Sequence, residues 1–302
     1  MSMYSLLKCV RADMRKLCLP QPVCLVHCSV PVLAAEKALL IKLRKATGYS
    51  FVNCKKALDK FSNDIKQAES WLHEQAQMEG WAKASKLQGR RATQGLIGQL
   101  LGEHGATMVE VNCETDFVAR NETFQQLVRE VAAAAMALSH SEAVHSGYNK
   151  SLLGPEELSQ LKSGVNNTTF ANQLALAIGR LGENLTLRRA VVLSVPPDCH
   201  VGGYVHGGGP ASPGGALLGR YGAMVVYRGG GVEEGRKLAQ HVVGEAPLSL
   251  GSLDELPCGD TETRLVAQSF LSDPSRTVGQ YLQDQDVRVL DFVRFECGEG
   301  EL

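Results

Sequence analysis

The sequence predicts an α+β protein in which a small three-helix module precedes a core of two related halves, each combining a small sheet with helices. Apolar residues recur at helical spacing from about residue 34 to residue 88. Beyond that point, short apolar runs of strand length alternate with amphipathic helices, which is typical of α+β folds. Residues 219–226 also resemble residues 102–109. This similarity predicts an internal repeat, with chance resemblance over so short a stretch as the alternative.

The helices of the module are predicted from apolar spacing and from capping residues. The first begins near Ala34, and the second covers residues 50–60. The third follows Asp64, a good N-cap residue, with Gln67 three positions later as in a capping box, and it extends to about Leu87. Three short helices enclose a thin core, which favours a docking module over an enzyme.

The pattern changes to strand periodicity after a polar linker at residues 89–94. The predicted strands are residues 96–101, 107–113, 185–195 and 287–295, and the predicted helices start at Asn121, after Pro155, at Phe170 and at Glu233. Otherwise residues 139–168 are predicted to be loop, and residues 202–215, rich in glycine, a flexible loop. The predicted domains are therefore residues 34–88, 89–195 and 196–302.

Composition restricts the class of protein. The 302 residues are 44% hydrophobic and 21% charged, with a formal net charge of −1, so no basic excess predicts nucleic-acid binding. No apolar run reaches the roughly 18 residues of a membrane-spanning helix, which favours a soluble protein without a membrane partner. Residues 1–33 are basic and poor in acids, which is typical of a transit peptide. An ordinary disordered N-terminus is the alternative.

The sequence contains no motif that predicts chemistry. It has no phosphate-binding P-loop, no zinc-protease helix and no nucleophile elbow, and its nine cysteines include no C-x-x-C pair. We therefore predict no metal, no cofactor and no stable nucleotide binding by the chain itself. A thiol site at Cys113, with Glu114, Asp116 and His104 nearby in sequence, is the one enzymatic alternative. A cysteine that ends an apolar strand is more often a small core residue.

Three ordered segments identify a resemblance that covers about residues 36–302. The first is Lys42-Leu-Arg-Lys-Ala-Thr-Gly48, followed by Asn53-Cys-Lys-Lys-Ala-Leu58. The second is Val109-Glu-Val-Asn-Cys-Glu-Thr-Asp-Phe-Val-Ala-Arg-Asn121, and its Thr-Asp-Phe-Val core is highly specific. The third combines Gly202-Gly-Tyr-Val-His-Gly207 with Val293-Arg-Phe-Glu-Cys-Gly-Glu-Gly300. Together these segments resemble the elongation factor Ts family.

The resemblance implies a fold and a location. The family has a three-helix domain similar to a ubiquitin-associated (UBA) domain, followed by two subdomains, each a small antiparallel sheet with helices. Bacterial members carry a long helical-hairpin insertion, whereas this sequence shows no sustained heptad run. This difference and the basic leader favour the mitochondrial branch of the family and a place in the matrix.

The resemblance also implies a function in translation elongation. Family members are guanine-nucleotide exchange factors rather than enzymes. They form a heterodimer with the GDP form of elongation factor Tu, here the mitochondrial one. They disturb its Mg²⁺ and phosphate site, release GDP and are then displaced by GTP, without contacting nucleic acid.

The family's contact residues match eight positions of this sequence. Asp116 and Phe117 match the pair that presses on the GTPase near its Mg²⁺ site, with the aromatic ring as a wedge. The other matches are core contacts at Leu181, Gly182 and His206, and the N-terminal docking surface at Arg44, Phe51 and Val52.

Five of these positions also have a structural interpretation. Phe117 is alternatively local core, Gly182 a helix C-cap and His206 an ordinary surface histidine. Phe51 and Val52 stand where the family often has other apolar residues, and both are alternatively core of the helical bundle. For the whole chain, the alternative function is a UBA-like adaptor or scaffold without exchange activity.

Overall fold

The structure is a computed structural model that describes residues 30–47, 49, 51–87, 89–139, 147–165, 167–208, 215–252 and 258–300. The predicted leader therefore lies almost entirely outside the described residues. The chain forms two compact units, Met1–Leu72 and His73–Leu302. Among the described residues, no helix combines the length and the hydrophobicity needed to cross a membrane.

The first unit is helical, as predicted. Helix α1 (Val30–Thr47) is followed by α2 (Phe51–Lys60) and by α3 (Ile65–Leu87), which continues into the second unit. Helix α3 begins where the sequence predicts. The Gln67 backbone N–H donates to Asp64 Oδ1 at 3.1 Å, while the Gln67 side chain donates to Asp64 Oδ2 at 3.3 Å. The small core of this unit consists of Leu43, Cys54, Ala57, Leu58, Ala68 and Leu72.

The second unit mixes strands and helices, which confirms the α+β prediction. Its strands are β1 (Gln94–Leu101), β2 (Gly105–Cys113), β3 (Asn149–Leu153), β4 (Leu185–Ser194), β5 (His200–His206), β6 (Leu217–Gly219), β7 (Tyr221–Arg228), β8 (Ser269–Phe270), β9 (Asp273–Thr277) and β10 (Arg288–Glu296). Its further helices are α4 (Asp116–Ala119), α5 (Glu122–Ser139), α6 (Pro155–Gln160), α7 (Phe170–Leu181), α8 (Val232–Glu245) and α9 (Val278–Asp284).

Two antiparallel sheets form the framework of this unit. The larger has the strand order β3-β4-β2-β1-β6, and the smaller has the order β10-β7-β5. Strand β6 follows the predicted subdomain boundary at residue 195 in sequence, yet it pairs with β1. Side chains of both sheets, including Met108, Val191, Met224 and Phe295, form one shared core cluster. The two sheets are therefore packed together within this unit.

Helices cover the sheets through apolar faces that were visible in the sequence. Helix α5 buries Phe124, Leu127, Val128 and Val131 in the core of the larger sheet. Asn121 precedes this helix, and its Oδ1 accepts the Thr123 backbone N–H at 2.9 Å, which confirms the predicted cap. Helix α8 packs on β5 and β7 of the smaller sheet.

Two loop predictions were wrong. Residues 149–153 form the edge strand β3, whose short and partly polar sequence carries a weak strand signal. Residues 202–206 belong to β5. A Cβ atom on Gly202 would lie 2.3 Å from the backbone carbonyl carbon of Gly235, so this glycine permits α8 to approach the strand. Residues 209–214 of the predicted flexible loop lie outside the described residues.

Candidate functional site

The Thr-Asp-Phe-Val core of the second motif lies where β2 leaves the sheet. After Cys113 the chain turns through Glu114 and Thr115 into α4, a single helical turn. Thr115 has an extended backbone, and its hydroxyl oxygen accepts the Val118 N–H at 3.3 Å. This is an N-cap, and it orients a helix that is too short to be stable by itself.

Phe117 projects from α4 into solvent. Its side chain is 79% exposed, whereas the following Val118 and Ala119 are buried and attach the turn to the core. The alternative interpretation of Phe117 as local core is therefore wrong. A large aromatic side chain held outward by a capped and anchored turn is available to a partner protein.

Asp116 is the first residue of α4 and precedes Phe117 directly. Its carboxylate forms an exposed ion pair. Its Oδ2 is 3.0 Å from Arg120 Nη2, and the Arg120 side chain is itself 78% exposed. An exposed ion pair of this kind contributes only about 0–1 kcal/mol to stability. The Asp116 carboxylate can therefore exchange its partner at low cost when another protein approaches.

A groove of about 480 Å³ connects Asp116 with the end of β5. Asp116 and Arg120 contribute to its lining, as do Gly207, Gly208 and Arg220. The Arg220 backbone N–H donates to the His206 carbonyl at 2.8 Å, which joins the end of β5 to the turn before β7. The structure thus brings Asp116 near the segment that follows His206, although β2 and β5 are distant in sequence.

His206 itself is exposed at the end of β5. Its Nδ1 is 3.1 Å from the Tyr204 hydroxyl, and its ring lies 6.3 Å from the ring of Tyr221. These contacts describe an ordinary surface histidine. The contact of His206 with a partner stays a prediction.

Leu181 and Gly182 end helix α7. Gly182 has φ of 78°, and its N–H donates to the Ile178 carbonyl at 2.8 Å, so the helix C-cap interpretation is confirmed. Leu181 is half-buried against the core of the larger sheet. The contact of both residues with a partner stays a prediction.

The predicted docking residues of the first unit are exposed. The guanidinium carbon of Arg44 lies 4.2 Å from the centroid of the Phe51 ring, and Ile41, Arg44, Lys45 and Phe51 line a small groove. Val52 is 64% exposed and Phe51 47%. The alternative that Phe51 and Val52 are bundle core is therefore wrong.

Sequence reasoning did not predict that two acids, Glu183 and Glu114, join the turns of the site by hydrogen bonds. Glu183 accepts hydrogen bonds from Thr115, and Glu114 accepts one from the Asn184 backbone N–H. The signal that would have revealed them is strand pairing. Strands β2 and β4 are antiparallel neighbours in which Cys113 lies opposite Leu185, so the turns beyond these residues must be adjacent.

Cys113 does not have the surroundings of a nucleophile. Its side chain is fully buried, and its thiol donates to the Thr115 carbonyl at 3.1 Å. Burial, reinforced by the nearby charge of Glu183, raises the pKa of Cys113 to about 12. Since the thiolate is the reactive form, this environment argues against the thiol-enzyme alternative. Within the described residues, no three His, Cys, Asp or Glu side chains are grouped to hold a metal ion.

Comparisons with known protein families match both parts of the chain. Residues 23–82 match the family model described as elongation factor Ts, mitochondrial, N-terminal. Residues 114–258 match the family model described as elongation factor TS. The second match includes the β2–α4 turn, helix α7 and strand β5, which carry the predicted core contacts.

Similar proteins are found across animals. Elongation factor Ts, mitochondrial, of Salmo salar is 60% identical and covers 99% of this chain and 98% of its own length. The protein of the same name in Homo sapiens is 53% identical, over 89% of this chain and 85% of its own. That of Aedes aegypti is 44% identical, over 88% and 89%. The similarity thus extends over nearly the whole length of these relatives.

Proposed function

Because the chain belongs to the elongation factor Ts family, we propose that it is a guanine-nucleotide exchange factor for mitochondrial elongation factor Tu. It is a mitochondrial member of that family. In the proposed reaction it binds the GDP form of the GTPase in a heterodimer and disturbs the Mg²⁺ and phosphate site. GDP leaves, and GTP then displaces the factor.

The exposed Phe117 on its capped turn is the observation that carries this proposal. An exchange factor must bind the nucleotide-free GTPase more tightly than the loaded form, and linkage then weakens nucleotide binding by the same factor. Burial of one phenylalanine side chain contributes about 1.5–3 kcal/mol. If Phe117 is buried only when the GTPase site has opened, this free energy corresponds to a roughly ten- to hundredfold lower affinity of the GTPase for GDP.

Asp116 adds an electrostatic contribution to the same step. Tight binding of a nucleotide depends on Mg²⁺ that bridges phosphate oxygens and on an ordered phosphate loop. A carboxylate that exchanges Arg120 for groups near the metal disturbs this arrangement through its charge and hydrogen bonds. Asp116 and Phe117 together act as the wedge of the proposed mechanism.

The remaining predicted residues supply affinity. Arg44, Phe51 and Val52 form an exposed cationic and apolar surface on the first unit, where the GTPase docks. Leu181, Gly182 and His206 provide further contacts from the core. An interface that combines these surfaces buries on the order of 2,000 Å² or more.

The proposed role requires no bond to be made or broken by this chain. Its contribution is the difference in binding free energy between two states of the GTPase, so the protein acts as an exchange factor and not as an enzyme. The buried Cys113 thiol, whose pKa is raised to about 12, has no part in it.

Release of fluorescent GDP from purified mitochondrial elongation factor Tu tests the proposal. We expect the wild-type factor to accelerate release strongly and the Asp116→Ala/Phe117→Ala variant to lose about a hundredfold or more of that acceleration. Leu152→Ala is the matched control, because Leu152 is also exposed and apolar but lies on the edge strand β3.

Three other outcomes have distinct meanings. Acceleration that survives the double substitution would keep the function and remove the wedge from its mechanism. No acceleration by folded wild-type protein would contradict the proposal. Binding to ubiquitin-like proteins without any effect on GDP release would favour the adaptor function.

A further inference from the structure

Two turns that are far apart in sequence lie side by side at one end of the larger sheet. The first follows β2 and contains Glu114 and Thr115, and the second precedes β4 and contains Gly182, Glu183 and Asn184. The pairing of Cys113 with Leu185 at the strand ends brings them together. Predicted contact residues lie at both turns. Asp116 and Phe117 follow the first turn, and Leu181 and Gly182 lie at the start of the second.

Each turn hydrogen-bonds the other through a carboxylate. Glu183 Oε2 accepts the Thr115 backbone N–H at 3.1 Å, and Glu183 Oε1 accepts the Thr115 hydroxyl at 2.7 Å. In return, Glu114 Oε1 accepts the Asn184 backbone N–H at 2.7 Å. The Asn184 side chain extends the network to the Arg90 carbonyl at 2.8 Å. Hydrogen bonds to ionised carboxylates are among the stronger ones in proteins.

The Thr115 hydroxyl has two roles in this arrangement. The hydroxyl donates its hydrogen bond to Glu183, so a lone pair of its oxygen is free to accept the Val118 N–H at 3.3 Å. Glu183 therefore sets the orientation of the oxygen that caps α4. Since α4 is one turn long, its direction depends on this cap and on the burial of Val118 and Ala119.

We propose that Glu183 is a positioning residue for nucleotide exchange, which holds α4 so that Asp116 and Phe117 meet the GTPase in one fixed orientation. This inference rests on the proposed exchange function. Glu183 touches neither the nucleotide nor Mg²⁺ in this proposal, and it acts through Thr115. A prepositioned turn loses less conformational entropy when it binds the open GTPase. More of the binding free energy is then available to weaken the binding of GDP.

The same acid joins two groups of contact residues. Glu183 directly follows Gly182 at the end of α7, and its bonds to Thr115 hold that end against the β2–α4 turn. The contact residues on α4 and on α7 are therefore presented at a constant separation. A purely structural bond would stabilise the fold without affecting exchange once the protein is folded, and this difference can be measured.

The test compares four variants of the full chain in stopped-flow release of fluorescent GDP from mitochondrial elongation factor Tu. In Glu183→Gln, one carbonyl oxygen remains, so it can accept only one of the two Thr115 bonds comfortably. Thr115→Val removes the hydroxyl, whereas Thr115→Ser retains it. Glu157→Gln is the matched control, since Glu157 makes a similar bond to the Gly154 N–H at 2.6 Å before α6.

We expect Glu183→Gln and Thr115→Val to lower the maximal release rate at saturating factor about tenfold. The half-saturating concentration should change by less than about threefold, because the docking surfaces are intact. Thr115→Ser should restore the rate, and Glu157→Gln should leave it unchanged. Backbone amide exchange in residues 114–120 should accelerate in Glu183→Gln and not in the control.

The other outcomes are decisive as well. A maximal rate of Glu183→Gln equal to that of wild type, or a change confined to the half-saturating concentration, would overturn the inference and leave the exchange function standing. If Glu183→Gln fails to fold, a wild-type maximal rate in Thr115→Val would overturn the inference, because that variant lacks the hydroxyl through which Glu183 acts. If the wild-type factor does not accelerate GDP release from the GTPase, the exchange function itself would be overturned.

Discussion

Strand β2 is central in the larger sheet and β7 in the smaller one. Each leads to a helix that packs on its own sheet, α5 after β2 and α8 after β7, but the two connections differ. After β2 the chain passes through Glu114 and Thr115 and forms α4 before α5 begins. After β7 it passes through three consecutive glycines and enters α8 directly. The difference shows that a turn with an exposed aromatic side chain can be built into a connection while the strand and helix on either side keep their packing.

The two connections are also stabilised differently. In the first, Thr115 caps α4 and Asn121 caps α5. In the second, the Glu234 carboxylate accepts the Gly231 N–H at 2.9 Å, within the first turn of the helix itself. The first connection therefore presents an oriented aromatic residue, whereas the second has only glycines between strand and helix.

The largest expected effect distinguishes Phe117 on α4 from Val232, the first residue of α8. They are 79% and 87% exposed, so Phe117→Ala and Val232→Ala should leave the unfolding free energy nearly unchanged. We expect Phe117→Ala to slow GDP release about ten- to a hundredfold, because it removes the apolar burial of the wedge. Val232→Ala should remain within about twofold of wild type in the same release assay.

Equal losses in the two variants would break the comparison. They would show that the second connection also contacts the GTPase. Urea unfolding of both variants serves as the control for folding.

A smaller effect is expected from the packing of helices on the two sheets. In Gly202→Ala the new Cβ would meet the Gly235 backbone at 2.3 Å, whereas in Gly98→Ala it would meet a side-chain methyl of Val128 at 2.8 Å. Backbone cannot move aside as a side chain can, so Gly202→Ala should cost about 2 kcal/mol of unfolding free energy. Gly98→Ala should cost less than that.

Urea unfolding of the two alanine variants and wild type measures this difference. If Gly98→Ala proves the more destabilising, helix α5 is packed on its sheet more rigidly than α8 is on β5.

The smallest effect concerns pH and the helix of the second half. His241 in α8 is fully buried, accepts the Leu271 N–H on Nδ1 at 3.2 Å, and lies 3.1 Å from Gln268 Oε1 through Nε2. Burial lowers the pKa of His241, against smaller opposing effects of Gln268 and Glu245. The neutral ring donates from Nε2, and a proton on Nδ1 would oppose the Leu271 N–H.

A lowered pKa has a definite sign for stability. The unfolded chain binds the proton more readily, so the contribution of neutral His241 is complete above about pH 6.5 and is lost as the pH falls toward the folded pKa. Between pH 7.5 and 5.5 we expect wild type to lose more unfolding free energy than His241→Gln, which has no imidazole to protonate. Identical losses in urea unfolding at the two pH values would contradict this assignment.

Local sequence patterns were enough to place most helices and strands. The caps at Asp64 and Asn121 and the C-cap at Gly182 each depend on bonds within a few residues, and all three are confirmed. Strand β5 was missed because the glycines that permit close packing of α8 are also typical of loops. Strand β3 was missed because an edge strand needs little apolar sequence.

The candidate site was only partly accessible to the same reasoning. The family resemblance supplied Asp116 and Phe117, and the structure added the outward direction of the ring and the cap that holds it. The groove between Asp116 and the segment after His206 required the fold, because the packing of two sheets brings these parts together. Contact with the GTPase at each predicted residue stays a prediction.

The fold class and the ends of most elements could be predicted from the sequence, because periodicity and capping act between near neighbours in the chain. The family was indicated separately, by the resemblance of three motifs. Only the tertiary structure decided that Glu183 bonds Thr115 and that β6 joins the sheet of β1. Glu183 and Thr115 are 68 residues apart, and their hydrogen bonds exist only because β2 and β4 pair to their ends. Such bonds leave no local pattern, since their geometry is set by the packing of the whole sheet.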